Sequence, residues 1–192
     1  MTRIGLFGGS FDPVHVGHLL VAQAAGEELG LARQYFIPAA QSPFKPANVP
    51  SPADLRLRLL RLALAGRCHY EIDTQEITRG GVSYSIDTVR DYARRFPGTE
   101  LFYLIGADHV GQLPKWREAE ALASLVEFVV IPRPGQTGLQ LPAPFRGRAL
   151  NGFPLGVSSS QIRARVRAGK PIDLLVPPAV AEAIRDNRLY LS

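Results

Sequence analysis

The eleven residues Gly8-Gly9-Ser10-Phe11-Asp12-Pro13-Val14-His15-Val16-Gly17-His18 hold the densest chemistry in the chain. Two adjacent glycines let backbone N–H groups come close to a ligand. A helix that starts just beyond them adds unpaired donors and the positive end of a dipole, which suits phosphate. His15 and His18 are three apart and so share one face of a helical turn. Both can donate hydrogen bonds to a phosphoryl group, and an imidazole can carry charge near neutral pH. Gly17 removes a side chain between them. Taken singly, Gly-Gly after a strand is equally a turn. A histidine pair is equally part of a metal site, although the segment offers no third ligand.

A second constellation is Val157-Ser158-Ser159-Ser160-Gln161-Ile162-Arg163. Ser158 and Gln161 have capping-box spacing, which explains both without any function. Three hydroxyls at a helix start, with Arg163 in the second turn, also make an anion site. Other residues carry weaker signals. Trp116, the only tryptophan, could stack on an aromatic ligand or simply pack half-buried. Lys45 could clamp phosphates from a proline-rich loop, or be solvated. Tyr84 and Ser85 open a helix whose backbone N–H groups could hold a carboxylate. Asp108 follows a strand and could bind an amine or hydroxyl, or cap the next helix. No Gly-x4-Gly-Lys-Ser/Thr, Gly-x-Gly-x-x-Gly, His-Glu-x-x-His or Gly-x-Ser-x-Gly motif is present, so P-loop and triad chemistry are unsupported.

These residues need a scaffold. The chain has 192 residues, 46% hydrophobic and 20% charged, near globular averages, which excludes a disordered chain. The length predicts one domain over residues 1–192, with a small helical portion from about 158. The single cysteine, Cys68, excludes an intramolecular disulfide and a cysteine-cluster metal site. It fits a reducing compartment. No apolar run reaches the ~18 residues of a membrane span. The apolar stretch at the start is too short for a signal peptide. The expected home is the cytoplasm. The net charge of +5 comes from 22 Lys+Arg against 17 Asp+Glu. A pI near 9.7 fits a nucleic acid, a polyphosphate substrate or a solvated surface alike.

Apolar runs predict strands at Arg3–Phe7, Gln34–Ile37, Tyr70–Ile72, Glu100–Ile105 and Glu127–Ile131, with a short one near Arg148–Leu150. Helical patterns cover Gly17–Gly30, Asp54–Ala65, Ser85–Phe96, Ser158–Ala168 and Pro178–Asp186, with one or two short helices over 107–124 around Pro114. Residues 38–52 and 132–156 read as long loops. Buried strands alternating with helices predict an α/β, Rossmann-like, doubly wound parallel sheet with helices on both faces. Ligands then bind at the carboxyl ends of the strands.

The segments Gly8–His18, Ile37-Pro38, Ser83–Ser85, Leu104–Asp108, Lys115-Trp116, Arg133–Gly135, Val157–Arg163 and Asp173–Tyr190 together resemble the nicotinate-nucleotide adenylyltransferase family of the nucleotidylyltransferase superfamily. The resemblance spans essentially the whole chain. It implies a transfer from ATP to nicotinate mononucleotide with Mg²⁺, giving nicotinate adenine dinucleotide and pyrophosphate. It implies that Gly8, Gly9, Ser10, Phe11, His15 and His18 hold ATP, with His15, His18 and Arg163 catalytic. Ser158, Ser159 and Arg163 would hold the same phosphates from the other side, and Gly106 and Asp108 would lie near the adenosine. Tyr84, Ser85 and Trp116 would bind the nicotinate, with Lys45 and Arg133 lining the site. The chain departs from the family pattern at Ala39-Ala40, where polar residues are common, and at Phe44, where histidine is usual. The alternatives are another acceptor, phosphopantetheine or nicotinamide mononucleotide, and a non-catalytic nucleotide or nucleic-acid binder. No nucleic-acid or membrane partner is expected.

Overall fold

Side chains of a strand alternate between two faces, and the apolar runs here are apolar at both parities. Phe7, Phe36, Phe102, Leu104 and Val129 join one buried cluster. Ile4, Leu6, Tyr35, Ile37, Leu101, Tyr103, Ile105, Phe128 and Val130 join another. Such strands can exist only with both faces covered, which is the condition of a parallel sheet between helical layers. The computed structural model describes residues 1–43, 49–136, 140–152 and 155–191.

In chain order the elements are β1 (Arg3–Gly9), α1 (Val16–Leu29), β2 (Arg33–Pro38), α2 (Ala53–Leu64), β3 (Tyr70–Ile72), α3 (Gln75–Arg79) and α4 (Ser85–Arg95). There follow β4 (Glu100–Gly106), a 3₁₀ helix (Ala107–Lys115), α5 (Ala119–Leu125), β5 (Glu127–Ile131), β6 (Gly147–Ala149), α6 (Ser159–Arg167) and α7 (Pro178–Asp186). The six strands are all parallel, in the order β3-β2-β1-β4-β5-β6. This is the Rossmann-like order, and it reverses between β1 and β4. The carboxyl ends of those two strands, Gly8-Gly9 and Gly106, therefore flank the crevice where such sheets bind ligands.

α1, α2, α6 and α7 cover the first face, through Ala22, Ala25, Leu59, Leu60, Ile162, Val180 and Ile184. α4, the 3₁₀ helix and α5 cover the second, through Ile86, Val89, Tyr92, Val110, Leu113 and Leu122. Small residues at the buried positions of α1, Gly17, Ala22, Ala24 and Ala25, let it lie close to the sheet.

Most expected elements appear within a residue or two of their reading. α3 was not expected. It is five residues long, too short to show a helical period, and Asp73 Oδ1 starts it by accepting the Gln75 N–H at 2.9 Å. The segment around Pro114 is one 3₁₀ helix that contains the proline, followed by α5. β6 depends on Gly147, because a Cβ there would lie 2.0 Å from the Phe128 carbonyl oxygen. Among the described residues no helix is long and apolar enough to cross a membrane.

Candidate active site

The loop from β1 to α1 is shaped by what glycine permits. A Cβ on Gly8 would meet the Tyr103 hydroxyl at 2.9 Å, and one on Gly17 would meet Val157 at 2.8 Å and His15 Nδ1 at 3.0 Å. Phe11 sits at φ 48°, a left-handed conformation that costs a bulky residue about 1–3 kcal/mol. Its ring is 1% exposed and packs on Phe7, Phe36 and His18. Full burial of such a ring contributes about 1.5–3 kcal/mol, enough to offset the strain and hold the loop in one shape.

His15 and His18 do come together. Their rings stack at 3.7 Å between centroids, and the His15 N–H donates to His18 Nδ1 at 3.1 Å. Because Nδ1 accepts, the proton of a neutral His18 ring resides on Nε2, which is then the donor for a ligand. His15 is 6% exposed, and its Nδ1 is buried with no hydrogen-bond partner among the described residues. Burial, and then the charge of Arg133, push His15 down to about 4. Burial and then His15 push His18 well below its ordinary value. The expectation that these imidazoles carry charge near neutral pH is therefore corrected: both are neutral hydrogen-bonding groups, because two stacked, desolvated rings beside an arginine cannot hold protons.

This state has a stability consequence. Above the unfolded value of 6.5 the His15 ring is neutral in both states and contributes nothing to pH dependence. Between 6.5 and about 4 the unfolded chain takes up a proton that the folded chain refuses. Stability therefore falls on acidification, by about 3 kcal/mol from this group. Urea unfolding at pH 7.5 and 4.5 will show a smaller fall in a His15→Asn variant than in the native chain. An equal fall in both would mean that His15 keeps its proton when folded.

The amino end of α6 docks on this loop. The Ser159 hydroxyl donates to the Pro13 carbonyl at 2.8 Å, and Arg163 Nη1 donates to the Asp12 carbonyl at 2.6 Å. Ser158 caps α6 in a capping box with Gln161. Three of the residues expected on phosphate thus have structural contacts: a cap at Ser158 and a tether to the glycine loop at Ser159 and Arg163. The tether is also what brings the second helix start to the same rim.

Arg133 and Asp108 meet across the rim in an ion pair at 2.7 Å. It joins the second residue after Gly106 of β4 to the loop after β5. The Ser85 hydroxyl shares a hydrogen bond of 2.8 Å with the Tyr103 hydroxyl, the same group that faces Gly8. The Arg117 guanidinium lies 4.7 Å from the centre of the Tyr84 ring. Trp116 is half-buried, edge-on to Tyr103, His109 and Phe128. Lys45 lies outside the described residues.

Residues with no assigned role in the sequence hold the rim together. Arg56 is 2% exposed. It donates to Ser51 O at 2.8 Å, Ser10 O at 2.8 Å and Ala39 O at 2.9 Å. Burial pushes its guanidinium down and the charge of Asp12 pulls it up. Asp12, 6% exposed, accepts the Ser51 N–H at 3.1 Å and the Tyr190 hydroxyl at 2.8 Å. A signal for Arg56 existed. Positions 56, 59, 60, 63 and 64 form the buried stripe of α2, and an arginine on an apolar stripe must find partners.

A family model described as Cytidylyltransferase-like matches residues 6–165. A protein of Opitutus terrae named "Probable nicotinate-nucleotide adenylyltransferase" is 40% identical, over 98% of this chain and 97% of that one. A protein of the same name from Gemmatimonas aurantiaca is 44% identical, over 98% of this chain and 92% of that one. The chain belongs to the nicotinate-nucleotide adenylyltransferase family. Its fold agrees: the Plasmodium falciparum nicotinic acid mononucleotide adenylyltransferase, solved with NaAD, superposes with a TM-score of 0.79 at 17% identity, covering 99% of this chain and 98% of that one. In this family member the glycine loop, the two histidines, the α6 start and the Asp108–Arg133 pair stand at the carboxyl end of the sheet.

Proposed function

We propose that the chain joins ATP and nicotinate mononucleotide to give nicotinate adenine dinucleotide and pyrophosphate, a step of NAD synthesis. The observation that carries this reading is the buried His15 Nδ1, without a hydrogen-bond partner among the described residues, on a ring stacked on His18 at the glycine-lined end of β1, in a chain of this family. The phosphate of the mononucleotide attacks the α-phosphorus of ATP. The bond from that phosphorus to the α,β-bridging oxygen breaks, and pyrophosphate leaves with that oxygen and the electron pair. The attacking phosphate has a second pKa of about 6 and is largely a dianion at pH 7, so no general base is needed. What the chain must supply is alignment of two anions and donors for the charge that develops.

In this reading Gly8, Gly9, Ser10 and Phe11 present backbone to the triphosphate, while His15 and His18 donate to it. Arg163 has five N–H donors, of which the Asp12 carbonyl takes one, and the others face the leaving group together with the start of α6 at Ser158 and Ser159. Gly106 and Asp108 lie toward the adenosine. Tyr84, Ser85 and Trp116 take the nicotinate ring and its carboxylate, with Arg133 and Lys45 at the margin. Among the described residues no group of three His, Cys, Asp or Glu could hold a metal ion, and Asp12 is committed to Ser51 and Tyr190. This donor set fits a magnesium ion carried by the phosphates and water rather than by a protein cage. When bound, Mg²⁺ would neutralise phosphate charge. The same reading takes residues 1–192 as one unit in the cytoplasm. The ties of Ser159, Arg163 and Tyr190 to the first loop support it.

The test is pyrophosphate release with ATP and Mg²⁺, with nicotinate mononucleotide and nicotinamide mononucleotide in parallel. Release with the acid well above that with the amide is expected, because a carboxylate is matched by donors at the α4 start while an amide needs an acceptor as well. Equal release would place the acceptor preference elsewhere than Tyr84–Ser85. No release with the acid would overturn the proposal.

A further inference from the structure

The last turn of the chain returns to the glycine loop. Tyr190, 178 residues from Asp12 in sequence, donates its hydroxyl to Asp12 Oδ1 at 2.8 Å. Its ring packs against the buried cluster of α1, α2, α6 and α7. Its backbone stands at φ 61°, a left-handed conformation that a bulky residue keeps only where its surroundings over-determine it. Burial and then the charge of Asp12 push the hydroxyl up, so it stays a donor. The other carboxylate oxygen, Oδ2, accepts the Ser51 N–H at 3.1 Å. Arg163 Nη1 stands 3.9 Å from that same Oδ2, beyond hydrogen-bond reach. It donates to the Asp12 carbonyl at 2.6 Å instead. Each oxygen of this buried carboxylate therefore has a close donor, and neither donor is the neighbouring arginine.

We propose that Tyr190 is a positioning residue for the triphosphate: by matching Asp12 it leaves the Arg163 guanidinium to ATP. The inference rests on the reading of Arg163 given above, and Tyr190 acts only through Asp12 and Arg163. The driving force is the cost of an unmatched buried carboxylate. Without the hydroxyl, Oδ1 loses its donor. Arg56 is in no position to answer, because it is buried and spent on the carbonyls of Ser10, Ala39 and Ser51. Arg163 is in such a position. Its side chain is 31% exposed and can turn, and a guanidinium fork pairs with both oxygens of a carboxylate. Closing the gap to Asp12 takes that fork away from the rim.

The experiment titrates ATP with Mg²⁺ into the full chain by calorimetry, with no acceptor present. It uses the native chain, Tyr190→Phe, Asp12→Asn and the double variant. Tyr190→Phe deletes one oxygen and keeps the packing of the ring, and circular dichroism checks the fold. In Tyr190→Phe the Kd for ATP rises about tenfold, near the lower end for a hydrogen bond to a charged group. In the Asp12→Asn background no charge draws Arg163, and the same change moves Kd by less than about twofold, the tolerance of independent sites. Tm falls in both backgrounds, because the bond of the hydroxyl is lost in both. A Kd that rises equally in the two backgrounds, or in neither, would make Tyr190 a purely structural residue and overturn the inference. Failure of the reading beneath it has a different signature. Arg163→Ala would then bind ATP as tightly as the native chain, and the inference would fall with that reading.

Discussion

His18→Ala will lower kcat by about 10²–10³, a loss of about 2.7–4 kcal/mol of transition-state stabilisation, by analogy with removal of one oxyanion-hole donor. The reasoning starts from the tautomer. The His15 N–H occupies His18 Nδ1, so the ring offers Nε2–H outward. A neutral donor fixed in place needs no rearrangement as charge builds on the phosphates. Charge on the histidine is not part of the effect, since burial and His15 hold its pKa well below the ordinary value. The rate will therefore follow the substrate phosphate, not a histidine, as the pH falls from 8 to 6.5. Alanine also removes the acceptor of the His15 N–H, so a second variant separates the two roles. Asparagine places an acceptor near Nδ1 but no donor at Nε2, and will remain as slow as alanine. Glutamine places an amide donor near Nε2 and will recover part of kcat. Steady-state kinetics on variants with native circular dichroism decide the matter. A kcat for His18→Ala equal to that of the native chain would remove His18 from the reaction.

Arg56→Met will lower stability by about 3–5 kcal/mol, as loss of one member of a buried charged set does. For a chain of this size that is a Tm lower by roughly 10 °C. The methionine fits the apolar stripe, so the cost comes from what the guanidinium leaves behind. The carbonyls of Ser10, Ala39 and Ser51 lose a buried donor, and Asp12 loses one compensating charge and keeps only Arg163, at 3.9 Å. Arg56→Lys will recover little. An ammonium is a point donor and cannot span three acceptors that a planar fork reaches from two edges. Both variants will also raise KM for ATP, because Ser10 belongs to the loop proposed to hold the triphosphate. Urea denaturation, read with the KM for ATP, checks both parts. A loss below about 1 kcal/mol in Arg56→Met, the size of a single ordinary hydrogen bond, would show that the three carbonyls find water instead.

Which parts of this protein could be read from the chain follows from the range of the interactions involved. The sheet was legible because its strands are apolar at both parities, a local property of Ile4–Phe7, Leu101–Ile105 and Phe128–Val130. A capping box needs only three residues of separation, so the Ser158–Gln161 cap was legible as well. The Gly-Gly loop and the stacked histidine pair were legible as a local feature because they are built from consecutive backbone and one helical turn. The order β3-β2-β1-β4-β5-β6 depends on β1 pairing with β4, Arg3 beside Glu100, far apart in sequence, and the alternation of elements only constrains it.

Tertiary structure alone decided the rest. Ser159 and Arg163 reach Pro13 and Asp12 across about one hundred and fifty residues, so their tethering role has no local sign. The protonation of His15 depends on burial and on Arg133, that of His18 on burial and on His15, and their residue type alone suggested charge. Glu76 lay on a helix too short to show a period, and its partner Thr88 comes from the next helix. Residue types and short spacings determined the chemistry this chain can offer. Packing determined which of those groups are left for a ligand, because a buried donor or acceptor must be matched wherever the fold puts it.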